Sequence, residues 1–165
     1  MPALLRQNLA LVIGAALLLA PEAALLAQGP AGPKYAVVSA KAQPATLAPG
    51  GHGALVIHMV VAPGFHVNSS TPKDPSLIAT AFAPAAEKGV RFSAAKYPKQ
   101  EMVMSAGQSV AAYQGAFNIT VPFMVASTAH RGVTSVAGTL TYQGCNATAC
   151  YPPKQETVHA TVTVK

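Results

Sequence analysis

The chain has 165 residues, of which 51% are hydrophobic and 10% are charged, and its formal net charge is +6 at pH 7. This length suits one domain, and the charged fraction is well below the roughly 25% of an ordinary soluble domain. With 14 prolines and 13 glycines, the composition excludes a collagen, a long coiled coil and an acidic disordered tail. Only one segment is apolar enough to enter a bilayer, which excludes a multi-span membrane protein.

That apolar segment, at the N-terminus, has the order of a secretory signal peptide. Arg6 supplies a positive charge, residues 9–20 form an unbroken apolar run, and small residues follow up to Ala27. The run is shorter than the ~20 residues that a spanning helix needs, and this order is typical of export signals. We predict that residues 1–27 are a cleaved signal peptide and that the mature chain has no membrane span. The alternative is an uncleaved anchor.

The basic residues of the mature chain are scattered from Lys34 to Lys165. Proteins that bind nucleic acids concentrate such charge in one stripe and place aromatic side chains within it for stacking. Because no such stripe is present, we expect a solvated basic surface and no nucleic-acid partner.

Period-2 alternation of apolar residues is the main structural signal. It is clearest over residues 117–125, 136–143 and 157–164, and it is typical of strands that bury one face in an antiparallel sheet. Further candidate strands cover residues 35–40, 54–61, 65–68, 77–82 and 90–94. Turn residues separate these runs at short intervals. The pattern predicts an all-β, antiparallel β-sandwich, preceded over residues 28–44 by a flexible lead-in and the first strand.

The two cysteines, Cys145 and Cys150, are five positions apart. An even pair in an exported protein predicts a disulfide. Such a small ring removes little entropy from the unfolded chain, because the stabilisation is ~3 kcal/mol for a 15-residue loop and less for shorter ones. A local, accessible disulfide reduces readily. The residues alone leave open whether this bond exchanges electrons or only pins a loop.

A metal site is the third possibility for the two thiols. It would need His66, His130 or His159 to complete a tetrahedral set, but none of these histidines stands at ligand spacing from either cysteine. We therefore expect no metal and no other cofactor.

The segment Tyr142-Gln-Gly-Cys-Asn-Ala-Thr-Ala-Cys-Tyr-Pro-Pro153 resembles the N-terminal periplasmic domain of the thiol:disulfide interchange protein DsbD. The likeness continues upstream in residues 63–68, 77–80, 113–115 and 119–122. It covers residues 45–165, which we assign to one domain of this family. The resemblance implies an immunoglobulin-like sandwich in the periplasm with a redox-active cysteine pair on an exposed edge.

Roles for the two cysteines follow from the same resemblance. In this family the later cysteine attacks the partner and the earlier one resolves the mixed disulfide, which implies that Cys150 is the nucleophile and Cys145 the resolving thiol. Electrons come from a thioredoxin-like donor and pass to periplasmic thiol proteins. No thioredoxin-like segment follows Lys165 in the sequence, so we expect a stand-alone version with a separate donor. The competing hypothesis is a non-catalytic protein-binding sandwich with a structural loop disulfide.

The chain departs from the family pattern in three places. The cysteines are separated by four residues instead of five. His66 and Asn68 stand where relatives place tyrosines, so either His66 tunes a thiolate when protonated or it is a surface residue. The segment 99–112, which matches a cap loop with a shielding aromatic, offers only Met102 and Met104. These methionines either cover the disulfide or pack in the core.

Overall fold

Twelve β-strands and no helix form in residues 32–165, the part of the chain that the computed structural model describes. The strands are β1 (Ala36–Gln43), β2 (Thr46–Leu47), β3 (His52–Val61), β4 (His66–Asn68), β5 (Ala81–Pro84), β6 (Val90–Phe92), β7 (Glu101–Ser105), β8 (Gln108–Tyr113), β9 (Ala116–Val125), β10 (Gly132–Tyr142), β11 (Gly144–Cys145) and β12 (Lys154–Val164). A helix long and apolar enough to cross a bilayer is therefore not found in this part of the chain. The predicted signal peptide, residues 1–27, lies outside it.

The strands form three four-stranded sheets. The first has the order β1-β3-β9-β6 and the second β2-β12-β10-β5. All pairings within these two sheets are antiparallel except the short parallel pairing of β2 with β12. The third sheet, β11-β4-β8-β7, is antiparallel and contains the first cysteine. The prediction of an immunoglobulin-like antiparallel β-sandwich is confirmed.

The core consists of the inward faces of the long strands, as the alternation predicted. Along β9 the buried residues are Ile119, Val121, Phe123 and Val125. The alternating apolar residues of β10 and β12 are buried in the same way and join one cluster with those of β3 and β9. Because burial follows the period of the strand, a shift of one residue would turn every one of these side chains to solvent.

Two parts of the strand prediction were wrong. Residues 77–80 form a loop, and the strand that follows them is β5, which starts at Ala81. The hairpin of β7 and β8 was not predicted. Its turn is Ser105 to Gln108, and both central residues, Ala106 and Gly107, have positive φ, as a two-residue type I′ turn requires.

Candidate redox site

Cys145 and Cys150 face each other across a short hairpin and are joined by a disulfide. Their Cα atoms are 4.0 Å apart. Main-chain hydrogen bonds flank the pair on both sides. Tyr151 N–H donates to the Gly144 carbonyl at 2.9 Å, and Asn146 N–H donates to the Ala149 carbonyl at 2.9 Å. The backbone itself therefore holds the two sulfur-bearing positions opposite each other.

The side chain of Asn146 organises the loop between the cysteines. Its Oδ1 accepts hydrogen bonds from the main-chain N–H of Thr148 at 2.9 Å and of Ala149 at 2.8 Å. Its Nδ2 donates to the hydroxyl of Tyr151 at 3.0 Å. This is the local bonding by which asparagine stabilises turns. A loop of four residues is thus closed without help from the disulfide.

The two cysteines differ in exposure. Cys145 has no solvent-accessible surface, whereas Cys150 is exposed. Thiol–disulfide exchange starts with attack of a thiolate on one sulfur and expels the other. An attacking group as large as a protein would reach the exposed cysteine more easily than the buried one.

His66 lies opposite Cys145 in the register between β11 and β4. Its side chain is only 3% exposed, and its Nε2 has no hydrogen-bond partner among the described residues. The expectation that His66 is a surface residue is therefore wrong. Burial lowers the pKa of the imidazole below its usual value and so favours the neutral ring. Protonated His66, the form that would attract a thiolate, is disfavoured.

Asn68 also contacts the cysteine pair, a role that the sequence did not suggest. Its Oδ1 lies 3.9 Å from the Sγ of Cys145, and the residue is fully buried. Its Nδ2 donates to the Ile78 carbonyl at 3.1 Å and to Oε1 of Gln143 at 3.0 Å. Gln143 in turn donates from Nε2 to the Tyr151 carbonyl at 3.0 Å. These amides link the strands on either side of the cysteine hairpin.

An aromatic cluster supports the opposite face of β11. The ring of Tyr35 stacks with those of Phe65 and Tyr151, at centroid distances of 6.1 and 6.0 Å, and meets Tyr142 edge-on at 5.9 Å. Tyr35 also lies so close to Gly144 that a side chain there would overlap its ring. Glycine is therefore required immediately before Cys145.

Charged groups border this cluster. The Lys154 ammonium lies 4.5 Å from the centroid of the Tyr35 ring, a favourable cation–π arrangement. The hydroxyl of Tyr142 donates to the Glu156 carboxylate. Burial, followed by this carboxylate, raises the pKa of Tyr142 far above its usual value, so the hydroxyl remains protonated.

The tip of the β7–β8 hairpin contacts the loop between the cysteines. Ala106 N–H donates to the Ala147 carbonyl at 2.9 Å, and the Ser105 hydroxyl donates to the Asn146 carbonyl at 3.3 Å. Met102 and Met104 are 59% and 62% exposed, so the interpretation that they pack in the core is wrong. The segment 99–112, which matches the family's cap loop, therefore contacts the loop between the two cysteines through the turn of the β7–β8 hairpin.

The other histidines considered as metal ligands are not grouped with the cysteines. Among the residues that the structure describes, no cluster of three or more histidine, cysteine, aspartate or glutamate residues could hold a metal ion. Both cysteines are in the disulfide.

Comparison with known proteins agrees with this geometry. The family model of the thiol:disulfide interchange protein DsbD, N-terminal, matches residues 35–162. Among solved structures, the N-terminal periplasmic domain of ScsB from Proteus mirabilis is 14% identical, with a TM-score of 0.54 over 77% of this chain. The match covers 46% of that structure, so this chain spans less than half of its length.

Two further comparisons add no functional information. A family 123 glycoside hydrolase from Clostridium perfringens is 9% identical and covers 79% of this chain and 28% of that one. Its TM-score of 0.27 is too low to indicate a common fold. No curated protein sequence matches the chain. Because the family model spans most of the chain, the protein belongs to the DsbD N-terminal family.

Proposed function

We propose that this protein is a periplasmic electron-transfer module that accepts electrons from a thioredoxin-like donor and reduces disulfides in partner proteins through Cys145 and Cys150. The observation that carries the proposal is the pairing of an exposed cysteine with a fully buried one in a local hairpin. Family membership supports thiol–disulfide exchange as the reaction. Export would depend on residues 1–27 acting as a signal peptide.

The exposure of each cysteine supports the division of roles. A donor thiolate attacks Sγ of Cys150, forms a mixed disulfide and expels Cys145 as a thiolate, which takes up a proton. The second donor thiol then attacks the donor's own sulfur in that mixed disulfide and releases Cys150. Two electrons and two protons have moved from the donor dithiol, which becomes a disulfide.

Reduction of a partner runs through the same positions in the opposite direction. The Cys150 thiolate attacks the partner disulfide and expels one partner sulfur as a thiol. Cys145 then attacks Cys150 in the mixed disulfide and releases the second partner thiol. Because Cys145 lies directly across the hairpin, it needs little movement to reach Cys150.

Single-cysteine variants test this assignment. The reduced Cys145→Ser protein should form a lasting mixed disulfide with oxidised glutathione at Cys150, detected by intact mass. The reduced Cys150→Ser protein should react at least tenfold more slowly, because its thiol is buried. Equal rates, or faster reaction of Cys150→Ser, would contradict the assigned nucleophile.

The reduction potential tests the function as a whole. The protein is equilibrated in graded glutathione buffers, and its free thiols are counted by alkylation. A potential between about −180 and −270 mV, where known exchangers lie, is expected. A potential below roughly −300 mV is typical of structural bridges. Such a value would favour the second candidate function.

That second candidate is a non-catalytic protein-binding sandwich in which the disulfide pins a loop. The observation that favours it is the contact of the β7–β8 turn with the loop between the cysteines, which makes this loop part of the folded sandwich. It predicts a protein that stays oxidised in thioredoxin buffer and whose melting temperature falls clearly when it is reduced.

A further inference from the structure

The oxygen of the Asn68 side chain is placed to respond to the redox state of Cys145. Oδ1 lies 3.9 Å from Sγ, and both residues are fully buried. In the disulfide this sulfur carries no hydrogen, so it cannot donate to the oxygen. No other hydrogen bond to Oδ1 is found within residues 32–165. The oxidised protein therefore holds a buried amide oxygen without a donor, which is an unfavourable state.

Backbone groups fix the direction in which this amide points. The main-chain N–H of Ile78 donates to Oε1 of Gln143 at 3.0 Å, and the Gln143 Nε2 donates to the Tyr151 carbonyl. Gln143 is thereby oriented with its oxygen toward the Nδ2 of Asn68. The Ile78 carbonyl also accepts from Nδ2. If the Asn68 amide were rotated by 180°, its oxygen would face two acceptors, the Ile78 carbonyl and Oε1 of Gln143. Oδ1 must therefore face Cys145.

We propose that Asn68 is a positioning residue that accepts a hydrogen bond from the Cys145 thiol when the disulfide is reduced. The inference rests on the exchange function proposed above and assigns a further residue to it. Reduction gives Cys145 the proton that Oδ1 lacks. The bond stabilises the reduced protein relative to the oxidised one and so raises the reduction potential of the pair.

The same contact makes the two thiols unequal. A hydrogen bond donated by the neutral thiol disfavours its ionisation, and burial acts in the same direction. The pKa of Cys145 is therefore expected to be higher than that of Cys150, whose thiolate is exposed to water. Asn68 thus helps to keep Cys145 protonated while Cys150 attacks.

Titratable groups on the elements around the pair are His66 on β4, Tyr113 on β8, Glu101 on β7, Tyr151 after the hairpin and Tyr35 against Gly144. The imidazole of His66 is favoured in its neutral form by burial, and Glu101 is exposed. The hydroxyls of Tyr113 and Tyr151 bond to Ser70 and to Asn146.

The first test is the reduction potential of Asn68→Leu in glutathione buffers. Leucine has the same branched arrangement of heavy atoms as asparagine, in a larger volume, and offers no acceptor. We expect the equilibrium constant for reduction to fall about tenfold, which is ~30 mV for a two-electron couple. Thr80→Val is the matched control, because Thr80 Oγ1 donates to the main-chain carbonyl of Asn68 at 2.6 Å without reaching the sulfur. Its potential should be unchanged.

An unchanged or raised potential in Asn68→Leu overturns the proposal. An equal fall in Thr80→Val would also overturn it, because that result would show a general effect of loosening β4. Failure of the exchange function is a separate result. It would appear as a potential below roughly −300 mV in the unaltered protein, whatever the Asn68→Leu shift.

A second measurement does not depend on the folding of any Asn68 variant. Thiolate absorbance is followed against pH in Cys150→Ser, which retains Cys145, and in Cys145→Ser, which retains Cys150. We expect a pKa for Cys145 above the usual value of ~8.5 and above that of Cys150. The opposite order contradicts the proposal. If Asn68→Leu folds, adding it to Cys150→Ser should lower the Cys145 pKa, because the acceptor that favours the neutral thiol is removed.

Discussion

His66 and Cys145 occupy directly opposed positions on β4 and β11, and both side chains are buried. Burial lowers the pKa of the His66 imidazole and favours its neutral form. The ring therefore lies beside the sulfur without the positive charge that would stabilise a thiolate. Because the His66 imidazole is buried at this position, we expect the free energy of unfolding to depend on pH.

Acidification should destabilise the protein through His66. In the unfolded chain the imidazole titrates near 6.5, whereas the folded protein resists its protonation. As the pH falls below about 6.5, the unfolded state binds a proton that the folded state does not, so the free energy of unfolding decreases. The loss ends once the pH is below the folded pKa. Between pH 7 and pH 5 it amounts to at most about 2 kcal/mol.

Urea unfolding across that pH range measures this loss. His66→Gln should be less sensitive to pH than the unaltered protein. His159→Gln, a change at an exposed position of β12, should keep the original sensitivity. Parallel stability curves for the unaltered protein and His66→Gln would show that the buried imidazole is not responsible.

Removal of the disulfide should leave the sandwich folded. The ring between Cys145 and Cys150 is small, so the chain-entropy model gives a stabilisation of about 2 kcal/mol. The hydrogen bonds of Asn146 and Tyr151 keep the hairpin closed on their own. A Cys145→Ala, Cys150→Ala double variant is expected to unfold cooperatively in urea with a loss of about that size. Loss of cooperative unfolding would mean that the disulfide is essential to the fold.

Asn146→Ala should make the disulfide easier to reduce. The substitution removes the acceptor for Thr148 and Ala149, which loosens the loop and lowers the effective concentration of one thiol at the other. We expect a reduction potential about 30 mV higher, a tenfold change in the equilibrium constant. The shift is opposite in sign to that expected for Asn68→Leu.

Asn146→Asp is the matched variant for this experiment, because it keeps the acceptor oxygen for the two main-chain N–H groups and replaces only the amide donor that bonds to the Tyr151 hydroxyl. Its potential should lie between those of Asn146→Ala and the unaltered protein. If the alanine and aspartate variants shift equally, the turn is not what holds the thiols together.

Gly144→Ala should destabilise the protein by about 1–3 kcal/mol, the usual cost of overpacking. The added methyl group would overlap the ring of Tyr35. A double-mutant cycle with Tyr35→Leu checks the cause, because two residues in contact give non-additive losses. The combined variant should lose less stability than the sum of the two single variants. Additive losses of stability would show that contact with the Tyr35 ring is not the cause of the destabilisation.

The regular part of the fold was predictable from sequence because burial repeats at the period of a strand. The alternations of β9, β10 and β12 were confirmed residue by residue. The β7–β8 hairpin was missed because Met102 and Met104, two of the apolar side chains of β7, point toward solvent. Alternation identifies a strand only where one face is buried.

The cysteine pair was predictable because it is local, whereas its surroundings were not. Asn68 and Cys145 are separated by 77 positions, and only the pairing of β4 with β11 brings them together. The burial of His66 depends on the same pairing. In the sequence, the one indication was that Asn68 stands where the family pattern has a tyrosine. Without the register of β4 against β11, this difference could not be related to Cys145.

The hairpin that carries the cysteines connects β10 to β12, which are paired along 11 residues of each strand. A partner joined to Cys150 is therefore attached close to the start of β12. In mechanical terms, a force applied to that partner along the axis of β12 would load the β10–β12 ladder in shear, so that its hydrogen bonds would resist together.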